Sequence, residues 1–167
     1  LIHSTIPFGS GLSSSAALEM AVACLLNTLG HLDLDPLTLA LIGQKAENDF
    51  VGVNTGILDQ YSSVMGQAQS ALLLDCRQLT SETVPIHPHL QVVICNTRAE
   101  RNLVGSEYDQ RRAQCEEGVR ILQELYPEIA ALRDVDLAMF TRHRQLLPET
   151  IAKRCQFIVE ENQRVLE

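Results

Sequence analysis

Two glycines and three consecutive serines in PFGSGLSSSAALEM, residues 7–20, run directly into a string of strong helix formers. Glycine admits backbone conformations that other residues avoid, so the stretch must turn tightly before the helix begins. A helix N-terminus presents unpaired N–H groups and the positive end of the helix dipole, which together favour an anion. Taken alone, the stretch fits either a serine-rich helix cap or an anion cradle, and the cap is the commoner outcome. A Walker-type phosphate loop is excluded, because no lysine stands beside the serines. The cradle, if it is one, is neutral, and suits phosphates whose charge is balanced elsewhere, most naturally by Mg²⁺.

Composition narrows the partners. With 167 residues, 46% of them hydrophobic, the chain can bury a core as one large or two small domains. The net charge of −8 and the scattered basic residues argue against nucleic acid and against an anionic membrane. The five cysteines, Cys24, Cys76, Cys95, Cys115 and Cys155, are odd in number, dispersed, and form no CxxC pair. A reduced, cytoplasmic protein is the simplest reading, with the cysteines as buried small hydrophobes. The longest apolar run, Ala21 to Leu26, is far too short to span a bilayer. The chain starts in a strand-like pattern and stops inside a helical one, so an internal piece of a longer protein is expected.

Periodicity predicts α+β. A strand over Leu1 to Ile6 precedes a helix from Ser13 to about Leu29, closed by Gly30. Asp35 caps a second helix that has Pro36 at its first position and runs to about Phe50. After a glycine-bearing break, ILDQYSSVMG forms a short helix, and the period then changes. Residues 71–77, 82–86 and 91–97 read as short strands. Helices follow at about Ser106 to Leu125, Asp136 to Leu147, and Pro148 to the end. Strands and helices without a regular βαβ rhythm indicate α+β rather than a doubly wound sheet. The turn IHPHL marks the best boundary between two parts.

The stretch QKAENDFVGVNTGILDQYSSVMGQ, residues 44–67, carries one acid, Glu47, near a helix end and another, Asp59, beyond a glycine-bearing turn. Each alone is explained equally well as a helix-terminus charge or as a catalytic group. Considered together, PFGSGLSSSAALE, KAENDFVGVNTGILDQYSSVMGQ, ALLLDCR and SEYDQRRAQCEEGV resemble the GHMP small-molecule kinases and, within them, the galactokinase family. The resemblance is strong over residues 1 to about 120 and looser beyond.

That resemblance implies a GHMP kinase fold of two α+β lobes. Residues 1–88 would be part of the N-terminal ATP-binding lobe, like ribosomal protein S5 domain 2. Residues 89–167 would open a ferredoxin-like C-terminal lobe. It implies that Gly9, Ser10, Gly11, Leu12, Ser13, Ser14, Ser15 and Ala16 bind the ATP phosphates. Ser14 and Glu47 would be the Mg²⁺ ligands, Asp59 the catalytic base against the sugar's reacting hydroxyl, and Gly56 a backbone contact to the sugar. The implied reaction is ATP-dependent phosphorylation of galactose at the anomeric hydroxyl, by a monomer. Kinases for N-acetylgalactosamine or arabinose, and a non-catalytic ATP and galactose sensor, are the alternatives. The family's arginine-bearing sugar-binding motif upstream and glycine-rich motif downstream are not within these residues, so little or no activity is expected of the chain alone.

Smaller features have plainer expectations. Asp75 and Arg77 suggest a strand-end ion pair, and SEYDQRRAQCEE a solvated helix face laced with i,i+4 pairs. His87 and His89, with no further ligands nearby, make a poor metal site. Asn54 and Thr55, just before Gly56, are placed to tune sugar choice.

Overall fold

Asp35 and Pro36 act as the sequence dictates. In the computed structural model, which describes residues 1–96 and 107–166, helix α2 spans Pro36–Ala46 with proline in its first turn. Asp35 Oδ1 accepts from Thr38 N at 3.1 Å, and Oδ2 from the Thr38 hydroxyl at 2.6 Å. These hydrogen bonds, the hydroxyl first, hold the Asp35 carboxyl below its ordinary value of 3.8. A lowered value contributes stability that is present above the ordinary pKa and lost as pH falls through the native one. Asp35→Ala should therefore lower the urea midpoint at pH 7, and the gap to the unaltered protein should close as the unfolding series is carried below pH 3.8.

The chain forms two compact units. In the first, α1 (Ser14–Leu29), α2 and α3 (Leu58–Met65) pack on one another, and an antiparallel hairpin follows, β1 (Ser70–Asp75) with β2 (Thr80–Pro85). The register pairs Ser70 with Pro85 and Asp75 with Thr80. Ala40, Ile57 and Tyr61 form a buried cluster against Leu72, Leu74 and Leu79 of the hairpin. The Tyr61 hydroxyl donates to Ser81 Oγ at 3.0 Å, which ties α3 to β2. Asp75 Oδ1 accepts from the backbone N–H groups of Arg77 and Gln78, so it closes the hairpin turn.

α2 does not stop at Ala46. It continues as a π-helix, Glu47–Val51, ended by Gly52 in the left-handed region at φ 79°. Its buried positions Leu39, Ala40 and Gly43 recur at helical spacing, and Glu47 is the next on the same stripe. A carboxylate is thereby carried into the interior by the periodicity that buries the helix. Gly43 permits the packing, since a Cβ there would collide with Met20 Cε of α1 and come within 3.2 Å of Gln60 Cγ of α3.

The second unit holds α4 (Glu107–Gln123), α5 (Leu137–His143) and α6 (Glu149–Leu166), joined by 3₁₀ turns at Leu132–Asp134 and Arg144–Leu146. Phe140, Leu122, Ile129 and Cys155 are its largest fully buried side chains. Burial pushes the Cys155 thiol up to about 12. At Gly118 of α4 an added Cβ would run into Cys155 Sγ of α6, so the two helices meet where only hydrogen fits. Exposed ion pairs of Arg112 with Glu116, Arg120 with Glu117, and Arg120 with Glu124 run along α4, as a solvated face requires.

The α+β class holds, as does the closure of α1 by Gly30, with corrections to two strands and to the cysteines. Residues 1–6 and 91–96 are not strands, because alternation fits a segment to a sheet without supplying a neighbour, and neither segment has a ladder partner among the described residues. Thr97 and the helix start at Ser106 lie outside the described residues. Gly30 closes α1 with φ −83°, and the left-handed residue is His31. All five cysteines are free, but Cys24, Cys76 and Cys95 are exposed, Cys115 is half-buried, and only Cys155 is buried. Their residue type favoured burial, and their positions on outward faces overrode it.

Candidate functional site

The glycine-serine loop does not cap its own helix. Gly9, Gly11 and Ser13 all take positive φ, at 66°, 77° and 55°, and the Ser10 hydroxyl braces the turn by donating to the Pro7 carbonyl at 2.7 Å. Nothing lies within 4 Å of a Cβ added at Gly9, so that glycine serves the backbone angle and not the space around it. Ser13 occupies the cap position in the left-handed conformation and makes no side-chain cap bond. Among the described residues, the hydroxyls of Ser13, Ser14 and Ser15 make no hydrogen bond, and the first helical bond runs from Ala17 N to Ser13 O. The helix therefore presents its first amides and serine hydroxyls without internal partners, while Ala16 is fully buried behind them. An ordinary serine cap would have taken up one of these amides.

Glu47, the next residue singled out by sequence, is 4% exposed. Its Oε2 accepts from the Thr55 hydroxyl at 2.9 Å and from Gln60 Nε2 at 2.9 Å. Gln60 Nε2 also donates to Glu19 Oε2 at 3.1 Å, so one amide nitrogen links α1, the π-helix and α3. Glu47 Oε1 takes no hydrogen bond among the described residues. Burial raises the Glu19 carboxyl above its ordinary value; the Gln60 bond partly offsets this, and the Glu47 charge adds to it.

The loop between the π-helix and α3 is clamped to the same place. Thr55 N donates to Asn48 Oδ1 at 3.1 Å, and the Thr55 carbonyl accepts from Gln44 Nε2 at 3.2 Å. With its hydroxyl donating to Glu47 Oε2 and Asn48 Oδ1 also within 3.2 Å of it, Thr55 holds the loop to the helix. Gly56 follows it with open space where a side chain would project. Asp59 stands in the first turn of α3, half-exposed, and its carboxylate has no partner among the described residues. Its backbone carbonyl accepts from the Ser62 and Ser63 hydroxyls, which stiffens the turn that carries it.

Glu47 in the π-helix, Gly56 in the loop after it and Asp59 at the start of α3 lie on elements that the Thr55 and Gln60 bonds to Glu47 tie together. The loop of residues 9–16 joins them through α1, by way of Glu19; no hydrogen bond links Ser14 to Glu47 among the described residues. A groove of about 250 Å³ lined by Leu58, Tyr61, Ser62, Gly66, Ser70, Leu72 and Leu74 touches none of Glu19, Glu47, Asp59 or Gln60, and is separate from this cluster. The His87 and His89 rings lie 5.2 Å apart and tilted by 43° in their turn, and no group of three or more His, Cys, Asp or Glu side chains placed to hold a metal occurs among the described residues. No helix among those residues is long and apolar enough to cross a membrane.

Comparison with known proteins gives the class: residues 1–67 match the family model described as GHMP kinases N terminal domain. The whole chain is moreover a homologue of galactokinases. It is 48% identical over 167 residues to the galactokinase of Roseiflexus sp., covering 100% of this chain and 43% of that protein. It is 46% identical over 166 residues to the galactokinase of Chloroflexus aggregans, covering 99% and 43%. The crystal structure of Lactococcus lactis galactokinase complexed with galactose superposes with a TM-score of 0.85 at 37% identity, over 96% of this chain and 42% of that one. The fold is the GHMP kinase fold, α+β and incomplete. The chain spans less than half the length of these relatives.

Sequence reading passed over Glu19, Gln60 and the Thr55 hydroxyl. The available signal was the apolar stripe of α2 leading to Glu47, because a carboxylate carried inside must find donors.

Proposed function

We propose that this chain is part of a sugar 1-kinase that transfers the γ-phosphoryl group of ATP to the anomeric hydroxyl of galactose, giving galactose 1-phosphate. The observation that carries the reading is the half-exposed Asp59 carboxylate, without a partner among the described residues and set at the exit of a loop clamped to the buried Glu47. Kinship with galactokinases supports the choice of sugar.

In this reading the amides of residues 9–16 and the dipole of α1 receive the ATP phosphates. Their donors are left uncommitted by the left-handed Ser13. The residues present fit Mg²⁺: among the described residues, Glu47 offers an oxygen with no other partner and Ser14 a hydroxyl with none, both hard ligands. When bound, Mg²⁺ neutralises charge on the β- and γ-phosphates. Gly56 lets the sugar approach the backbone. Asp59 orients the acceptor hydroxyl and takes its proton, so that its oxygen bonds to the γ-phosphorus while the bond from that phosphorus to the β–γ bridging oxygen breaks and ADP leaves.

The lobe division, residues 1–88 in an ATP-binding lobe and 89–167 opening a second, belongs to the same proposal, as do a monomeric state and a cytoplasmic location. The test is phosphate transfer from ATP by the purified full-length protein across galactose, N-acetylgalactosamine and arabinose. Galactose should give the highest kcat/KM. Preference for another sugar would change the substrate, and ATP and galactose binding without turnover would replace the kinase by a sensor.

A further inference from the structure

Gln60 is fully buried, yet its side-chain oxygen has no partner among the described residues. An apolar residue of similar volume would fill the site without leaving a buried acceptor unpaired. The amide is therefore retained for what its nitrogen does. Its two N–H groups go one to each of two carboxylates, Glu19 Oε2 and Glu47 Oε2. The orientation is dictated by charge, since turning the amide over would aim its oxygen at both acids. Gly43 adds a steric constraint, because the backbone of α2 lies close against Gln60 Cγ where a Cβ would intrude.

We infer that Gln60 and Thr55 are positioning residues that fix Glu47: both donate to Oε2, turning that oxygen into the protein and leaving Oε1 as the one available to a divalent cation, with Glu19 anchoring Gln60 from α1. The inference rests on the reading of Glu47 as a Mg²⁺ ligand. A buried carboxylate without these donors would swing between orientations, and the cation would meet a ligand that must first be ordered. Glu19 belongs to the arrangement because a single anchor on Glu47 would leave the second N–H of Gln60 unpaired and its amide free to rotate.

The experiment uses the full-length protein saturated with a non-hydrolysable ATP analogue and titrated with Mn²⁺, followed by water-proton relaxation. Gln60→Met keeps the volume and removes the donor; Thr55→Val does the same at the other anchor; Glu47→Ala is the reference. Each positioning variant should weaken Mn²⁺ binding by about 10- to 100-fold, the range typical of residues that orient a metal ligand. The Mg²⁺ concentration for half-maximal turnover should rise in parallel, and the sugar KM should stay within a few-fold. A residue that merely stabilises the fold would lower the melting temperature and leave the Mn²⁺ affinity of the folded protein unmoved. If Glu47→Ala weakens Mn²⁺ binding while Gln60→Met and Thr55→Val stay within twofold of the unaltered protein, the positioning role is overturned and Glu47 keeps its own. If Glu47→Ala is also without effect, the ligand reading itself falls. Should Gln60→Met fail to fold, Thr55→Val alone decides by the same criterion.

Discussion

Asp59→Asn in the full-length protein is expected to lower kcat for sugar phosphorylation by about 100- to 10,000-fold, the usual contribution of a positioned general base. Asparagine matches aspartate in size and still accepts a hydrogen bond, so the first turn of α3 and its Ser62 and Ser63 bonds to the backbone carbonyl remain. What it cannot do is take a proton. The loop of residues 9–16 does not contact this carboxylate through any hydrogen bond among the described residues, so ATP affinity should change less than threefold. Single-turnover kinetics with parallel calorimetry of nucleotide binding separates the two effects. Turnover within tenfold of the unaltered protein would remove the proton-accepting role and leave Asp59 as a substrate-orienting group.

The largest expected loss of stability lies in the second unit. Phe140 of α5 is 1% exposed and sits in the cluster formed with Leu122, Ile129 and Cys155. Its truncation to alanine removes the ring's transfer free energy and leaves a cavity that close-packed helices fill poorly, so Phe140→Ala should cost about 3–5 kcal/mol. Gly118 limits relaxation on the α4 side, because α4 and α6 are already in contact there. Urea unfolding should show a lower midpoint with an unchanged slope. A loss below about 1 kcal/mol would mean that the core re-forms around the gap.

Local rules carried most of the helices. Asp35, Pro36 and Thr38 settle the start of α2 among themselves, within four consecutive residues of the chain. The β1–β2 hairpin is equally local, since its strands are joined by a short turn that Asp75 closes. Strand pairing over distance is not local, which is why residues 1–6 and 91–96 have the pattern of strands without the structure. The candidate site divides in the same way. Glu47, Gly56 and Asp59 lie within one stretch, where the family resemblance singles them out. The Glu19 to Gln60 bond joins residues 41 apart, and depends on α1 and α3 both packing against Gly43. The Ser13 conformation was hidden for another reason: serine is a good cap residue, and propensity pointed to the common geometry rather than the left-handed one adopted.

Ser13 stands in a conformation made for glycine. A left-handed backbone costs an L-residue about 1–2 kcal/mol, whereas glycine adopts it freely. Glycines at positions 9 and 11 take the positive φ that this loop requires, and at Gly9 open space leaves the angle as what the glycine serves. At position 13 the chain instead accepts a standing strain in exchange for a hydroxyl held beside the open amides of α1, where a glycine would supply the turn and nothing more.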